Sequence, residues 1–161
     1  MKIRKVVVIG ASNKTDRYSY QAVKLLAEMG YQPIPVHPKL KEILGINVCP
    51  SMRHLAKQSF ASDVALTKVA NATNVESCFK DNADFCSKSI ESIVETEIDT
   101  IAVYVNPEIS SGLIEQIIQV KPRRVIFNPN TENPELASKL AAAGIETIEA
   151  CTLVMLRTGQ F

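Results

Sequence analysis

Apolar residues in this chain alternate between short unbroken runs and helical spacing, and each change of period marks an element. Residues 3–9 carry the consecutive run Val6, Val7, Val8 and Ile9, closed by Gly10. A continuous β-branched run of this kind predicts a strand buried on both faces of a parallel sheet. Over residues 18–29 the period lengthens. Tyr18, Ala22, Leu25, Leu26 and Met29 fall on one helical face, with Gly30 placed to end the helix. Gln32–Val36 predicts a second strand, stopped by His37-Pro38. Pro33 and Pro35 each lack a ladder donor, which puts this strand near a sheet margin. Ile46 to Pro50 predicts a short extended piece.

Residues 52–97 are polar and free of glycine and proline. Their best pattern is Cys86, Ile90, Ile93 and Val94, a helical face. Phe60 and Val64 suggest a weaker helix, and Asn71 to Asn74 a turn between them. Regular order returns with a strand from Thr100 to Val105, closed by Asn106-Pro107. A helix follows with Leu113, Ile114, Ile117 and Ile118 inward. Arg124 to Phe127 predicts the next strand, closed by Asn128-Pro129. Asn133 then reads as an N-cap, Pro134 as the first helical position and Gly144 as the matching end, with Leu136, Ala137, Leu140 and Ala141 on the buried face. Glu146 to Glu149 predicts a last short strand before the tail. Strands alternating with helices imply an α/β, Rossmann-like, doubly wound sheet of five or six mostly parallel strands, with helices on both faces. Precedent for that fold gives the order 3-2-1-4-5.

Composition narrows the ligand class. The chain has 161 residues, enough for a single domain over 1–161 with a helical insertion at about 54–97. Charged residues are 22% and the net charge is +1, so no global basic field selects nucleic acid or a membrane surface. Any anion site must be local. The four cysteines (Cys49, Cys78, Cys86, Cys151) form no close ligand pair and the two histidines stand apart from them, so no metal site is expected. No secretory core and no membrane-length apolar run is present. Free thiols in such a chain favour a reducing cytoplasm.

In an open parallel sheet, ligands bind beyond the carboxyl ends of the strands. The residues after the first strand are Gly10, Ala11, Ser12 and Asn13, followed by Arg17. A tight turn, a hydroxyl, a guanidinium and a helix amino terminus suit a phosphate. A dinucleotide fingerprint would place glycines at 12 and 15, where Ser12 and Thr15 stand, so NAD(P) and an oxidoreductase role are the weaker alternative. Strand two ends in His37, Pro38 and Lys39 rather than an acid for ribose hydroxyls, which suits an extra ribose phosphate or an adenine face. The later strands end in Asn106 and Pro107, then Asn128, Pro129, Asn130 and Thr131, then Cys151. Cys151 reads as a small buried hydrophobe, since no histidine or lysine stands beside it in sequence. Glu132 and Asn133 read as a helix start. Neither histidine has a triad partner, so no catalytic residue is expected.

Taken in order, Val8-Ile9-Gly10-Ala11-Ser12, Arg17-Tyr18-Ser19, Pro35-Val36-His37-Pro38, Val105-Asn106-Pro107, Asn128 to Asn133 and Ala143-Gly144-Ile145-Glu146 resemble the stand-alone CoA-binding proteins. These are small bacterial relatives of the CoA-binding domain of succinyl-CoA ligase alpha subunits. The resemblance covers about residues 3–53 and 98–161. It implies coenzyme A lying over the strand ends, with Gly10, Ala11, Ser12 and Arg17 at the diphosphate or pantetheine. Val36, Pro38 and Lys39 would line the adenosine end, and Asn106, Pro107, Asn128, Pro129 and Asn130 would border the channel. Relatives usually have glycine where Asn130 stands, and asparagine can take the same left-handed backbone. The ligase's phosphorylated histidine and its ATP-grasp domain have no counterpart, so ligase activity does not transfer. The expected protein is a cytoplasmic binding or regulatory module for CoA or an acyl-CoA, with a small nucleotide ligand as its partner. It would bind neither nucleic acid nor membrane. An apolar helical face in the insertion leaves a homodimer open. A third alternative is a partner-binding domain with a closed nucleotide cleft.

Overall fold

A computed structural model describes residues 3–56 and 98–161. Five parallel strands, β1 (Lys5–Ile9), β2 (Gln32–Val36), β5 (Ile98–Val103), β6 (Arg124–Phe127) and β7 (Glu146–Glu149), form one sheet in the order β2-β1-β5-β6-β7. A two-stranded hairpin, β3 (Glu42–Ile43) and β4 (Ile46–Asn47), stands apart from it. The helices are α1 (Tyr18–Glu28), α2 (Pro107–Ser111), α3 (Ile114–Val120), α4 (Pro134–Ala142) and α5 (Thr152–Thr158), with a helical turn at 52–56.

The period-2 alternation of a strand divides the core into two layers. From β1, Val7 and Ile9 join Met52, Leu55, Ile117, Leu136 and Leu140 on one face, while Val6 and Val8 join Val23, Leu26 and Leu156 on the other. Both faces of β1 are therefore covered, which is why its sequence is an unbroken apolar run. The α/β class with a parallel, two-sided sheet is as expected.

Counted along the chain, the five strands of the sheet run 2-1-3-4-5, so the expected order 3-2-1-4-5 is not what they adopt. A third strand beside β2 survives only as a bridge between Val36 and Cys49. Its two bonds are Cys49 N–H to the Pro35 carbonyl (2.8 Å) and His37 N–H to the Cys49 carbonyl (3.0 Å). The proline-bearing strand β2 does lie at the margin. Ile34 pairs with Val7 on the inside, and the donorless nitrogens of Pro33 and Pro35 fall on alternate positions.

Three other expectations shift. The buried face of α1 is Ser19, Ala22, Val23 and Leu26, and Tyr18 and Met29 are exposed. The single helix expected after Asn106 is two, broken at Gly112 and Leu113, with Ile117 and Val120 buried. The expected tail is α5, which buries Thr152, Leu153, Met155 and Leu156 and packs on α1. The readings at Phe60, Val64, 71–74, Cys78 and 86–94, and most of the expected insertion, lie outside the described residues.

Candidate functional site: a cleft over the strand ends

A cleft of about 800 Å³ opens beyond the carboxyl ends of β1, β2, β5 and β6. One wall is made by two turns in contact. Gly10 has φ +81°, and a Cβ there would meet Val105 Cγ1 at 2.7 Å and the Tyr104 carbonyl carbon at 3.2 Å. Only glycine allows this approach. The N–H groups of Gly10 and Ala11 both donate to the Val36 carbonyl (3.1 and 3.3 Å). They tie the end of β1 to the end of β2. The amides of Ser12 and Asn13 have no backbone acceptor among the described residues.

Beyond them the Lys14 N–H donates to Ser12 Oγ at 3.1 Å, which leaves the hydroxyl hydrogen free to donate. Arg17, extended at φ −80° and ψ 137°, is the N-cap of α1 and supplies no side-chain cap. The first-turn N–H groups of α1 therefore lack the side-chain acceptor that usually satisfies them. Ser12, Lys14, Arg17 and Ser19 all line the cleft, and no carboxylate does among the described residues.

On the β2 side, His37 accepts two backbone N–H bonds at Nδ1, from Lys39 (3.1 Å) and Leu40 (3.2 Å). An accepting Nδ1 is unprotonated, so the neutral ring carries its hydrogen on Nε2. Val36, His37 and Pro38 line the cleft, and Lys39 does not. Lys39 contributes the amide that orients the imidazole.

On the far side, Asn106 caps α2 by accepting the Ile109 N–H at 3.0 Å and lines the cleft, whereas Pro107 does not. Pro129 and Asn130 line it too, and Asn130 has φ +69°, the left-handed backbone expected where relatives have glycine. Asn128 stands behind the wall. It is 2% exposed, its Nδ2 donates to the Val103 carbonyl (3.1 Å), and its Oδ1 accepts the Thr152 N–H (2.8 Å). It clamps β5 to the start of α5. Asn133 does cap α4, accepting the Leu136 N–H at 3.0 Å, and its Nδ2 also donates to Pro107 and to the hydroxyls of Ser110 and Ser111.

Of the thirteen residues expected at a ligand, Gly10, Ala11, Ser12, Arg17, Val36, His37, Pro38, Asn106, Pro129 and Asn130 share the cleft, and Lys39, Pro107 and Asn128 do not. Lys14, Tyr18, Met52, Tyr104, Val105, Ile109 and Leu113 line it without having been expected. Lys14 had a local signal, a cation in the polar turn after β1. Tyr104 and Val105 were read as strand, but β5 stops at Val103.

Behind the wall, the Tyr104 hydroxyl and Thr152 Oγ1 face each other in the interior, neither making a well-formed hydrogen bond. Burial pushes the Tyr104 phenol well above its ordinary range, with Thr152 opposing and Cys151 adding to the shift. Cys151 is half-buried at the N-cap of α5 and does not line the cleft. Among the described residues no three His, Cys, Asp or Glu side chains gather to hold a metal, and no helix is long and apolar enough to cross a membrane.

The fold and cleft define an open α/β protein with a tight glycine turn and two cationic side chains beyond the end of β1. Comparison with known proteins gives the family. The CoA binding domain matches residues 4–157, and the chain belongs to that family. A crystal structure of an uncharacterized protein is 31% identical, with a TM-score of 0.68 and all of both chains covered. A hypothetical protein from Pyrococcus horikoshii OT3 has the same fold at 23% identity and a TM-score of 0.63, over 97% of this chain and 84% of that one. Uncharacterized protein YneT of Bacillus subtilis (strain 168) is 33% identical over 52 residues, which span 32% of this chain and 38% of that protein.

Proposed function

We propose that this cleft binds coenzyme A or an acyl-CoA, and that the protein acts as a binding or regulatory module. The observation that carries the reading is the coincidence, at one place, of an α1 amino terminus with no side-chain cap, two cations and, among the described residues, no carboxylate. That combination stabilises a diphosphate. The diphosphate lies over the β1–α1 turn and takes hydrogen bonds from the amides of Ser12 and Asn13, with Lys14 and Arg17 closing on its oxygens. Gly10 and Ala11 shape the turn and hold it to Val36. The nucleoside lies over the end of β2, where His37 presents Nε2–H.

Among the described residues, the titratable side chains lining the cleft are Lys14, Arg17, Tyr18, His37 and Tyr104. They offer anion ligands without a carboxylate base or a thiol nucleophile, which supports binding over catalysis. Cys151 carries a free thiol, which fits a cytoplasmic location. Isothermal titration of the full chain with CoA, NAD, NADPH and ATP tests the reading. CoA is expected to bind with the largest affinity, and a response confined to NADPH overturns it. Native mass spectrometry of the purified protein gives a second readout, a co-purified mass of CoA or an acyl-CoA.

A further inference from the structure

The two sides of the cleft differ in chemistry. Lys14, Arg17 and His37 stand on the β1 and β2 side. The β5 and β6 side presents Val105, Ile109, Leu113 and Pro129, with only uncharged polar side chains (Asn106, Asn130, Thr131) among them in the described residues. Over residues 104–113 and 128–134 the only charged side chains are two acids, Glu108 and Glu132. Ile109 is 54% exposed, an aliphatic side chain turned to the cleft instead of the interior.

The sheet order decides which part of a ligand meets which wall. β1 lies between β2 and β5. A diphosphate over the β1–α1 turn with its nucleoside over β2 must send its other arm over β5 and β6, and in CoA that arm ends in the thiol. We infer that the cleft takes an acyl-CoA whose acyl group is uncharged and aliphatic, seated against Val105, Ile109 and Leu113. This rests on the CoA reading above. A dicarboxylic acyl group would bring its free carboxylate out of water to a wall with no cation among the described residues, which is unfavourable. An aliphatic chain at the same wall removes apolar area from water, a gain of up to about fourfold in affinity per fully buried methylene.

Titration of the full chain with CoA, acetyl-CoA, butyryl-CoA and succinyl-CoA separates the two levels of argument. Butyryl-CoA is expected to bind roughly tenfold more tightly than acetyl-CoA, its two extra methylenes being mostly buried, and succinyl-CoA no more tightly than free CoA. Silence with all four ligands overturns the CoA reading itself. Binding of CoA with succinyl-CoA equal to or tighter than butyryl-CoA overturns the acyl inference alone. The exposed Ile109 also allows a variant that folds. Ile109→Asn is expected to reduce the ratio of butyryl-CoA to acetyl-CoA affinity several-fold, and an unaltered ratio refutes the seat.

Discussion

Gly10→Ala is the perturbation whose cost the geometry specifies most closely. Two terms add. At φ +81° any residue with a Cβ sits in the left-handed region, which costs about 1–2 kcal/mol. The new methyl would also stand 2.7 Å from Val105 Cγ1, 3.2 Å from the Tyr104 carbonyl carbon and 3.3 Å from its oxygen. The side-chain contact can yield by rotation, but the backbone contacts cannot without moving the β5–α2 turn, so overpacking adds about 1–3 kcal/mol. The sum is about 2–5 kcal/mol, a large share of the roughly 5–15 kcal/mol that holds a domain together. Gly144→Ala isolates the first term, because Gly144 has φ +78° and nothing within 4 Å of the added atom. Urea unfolding followed by circular dichroism measures both variants. Gly10→Ala should be the less stable by the overpacking term, and in the double variant Val105→Ala should return part of that difference through a non-additive coupling. If Gly10→Ala and Gly144→Ala agree within about 0.5 kcal/mol, the close approach of the two turns is wrong.

Arg17→Ala should weaken CoA by about 1.5–3 kcal/mol, tenfold or more, with the unfolding midpoint unchanged; an equal affinity by calorimetry makes Arg17 a surface residue. Asn128→Ala leaves the buried Thr152 N–H without its acceptor and should cost about 1–3 kcal/mol in urea unfolding. Tyr104→Phe removes a buried hydroxyl with no well-formed hydrogen bond among the described residues and should be neutral or stabilising, so a clear loss would reveal a partner. Asp99 is subject to burial, which raises its pKa, but hydrogen bonds from Thr100 and Arg123 outweigh this and hold it below its ordinary value. A depressed carboxyl contributes stability above the unfolded carboxylate range, and that contribution is lost as pH falls through the folded pKa. Asp99→Asn should therefore destabilise near neutral pH, with the gap to the parent chain closing below about pH 4 in urea midpoints; a gap constant with pH refutes the assignment.

The legible parts of the fold were those written in local spacing. The run Val6 to Ile9 has no polar break, because both of its faces are covered by helices. Asn133-Pro134 and Gly144 bracket α4 as cap chemistry dictates. The start of α5 was missed because Thr152 to Thr158 is seven residues with one polar turn, short for a helical period to stand out. The face of α1 was misjudged by about one residue, since Tyr18 has an apolar ring but stands in the first turn, beside the cleft and away from the core.

The order of residues along the chain was enough to establish a parallel α/β sheet, a tight turn after the first strand, and a guanidinium at the head of the following helix, because each depends on neighbours a few positions apart. Tertiary structure alone decided which amides of that turn are left for a ligand. The N–H groups of Gly10 and Ala11 are held by Val36, a carbonyl more than twenty residues away. It also decided that Asn128 faces the interior and that Ile109 and Leu113 share a wall with Val105. Hydrogen bonding is short in range, so its partners are chosen by distance in space, and local spacing carries no record of them.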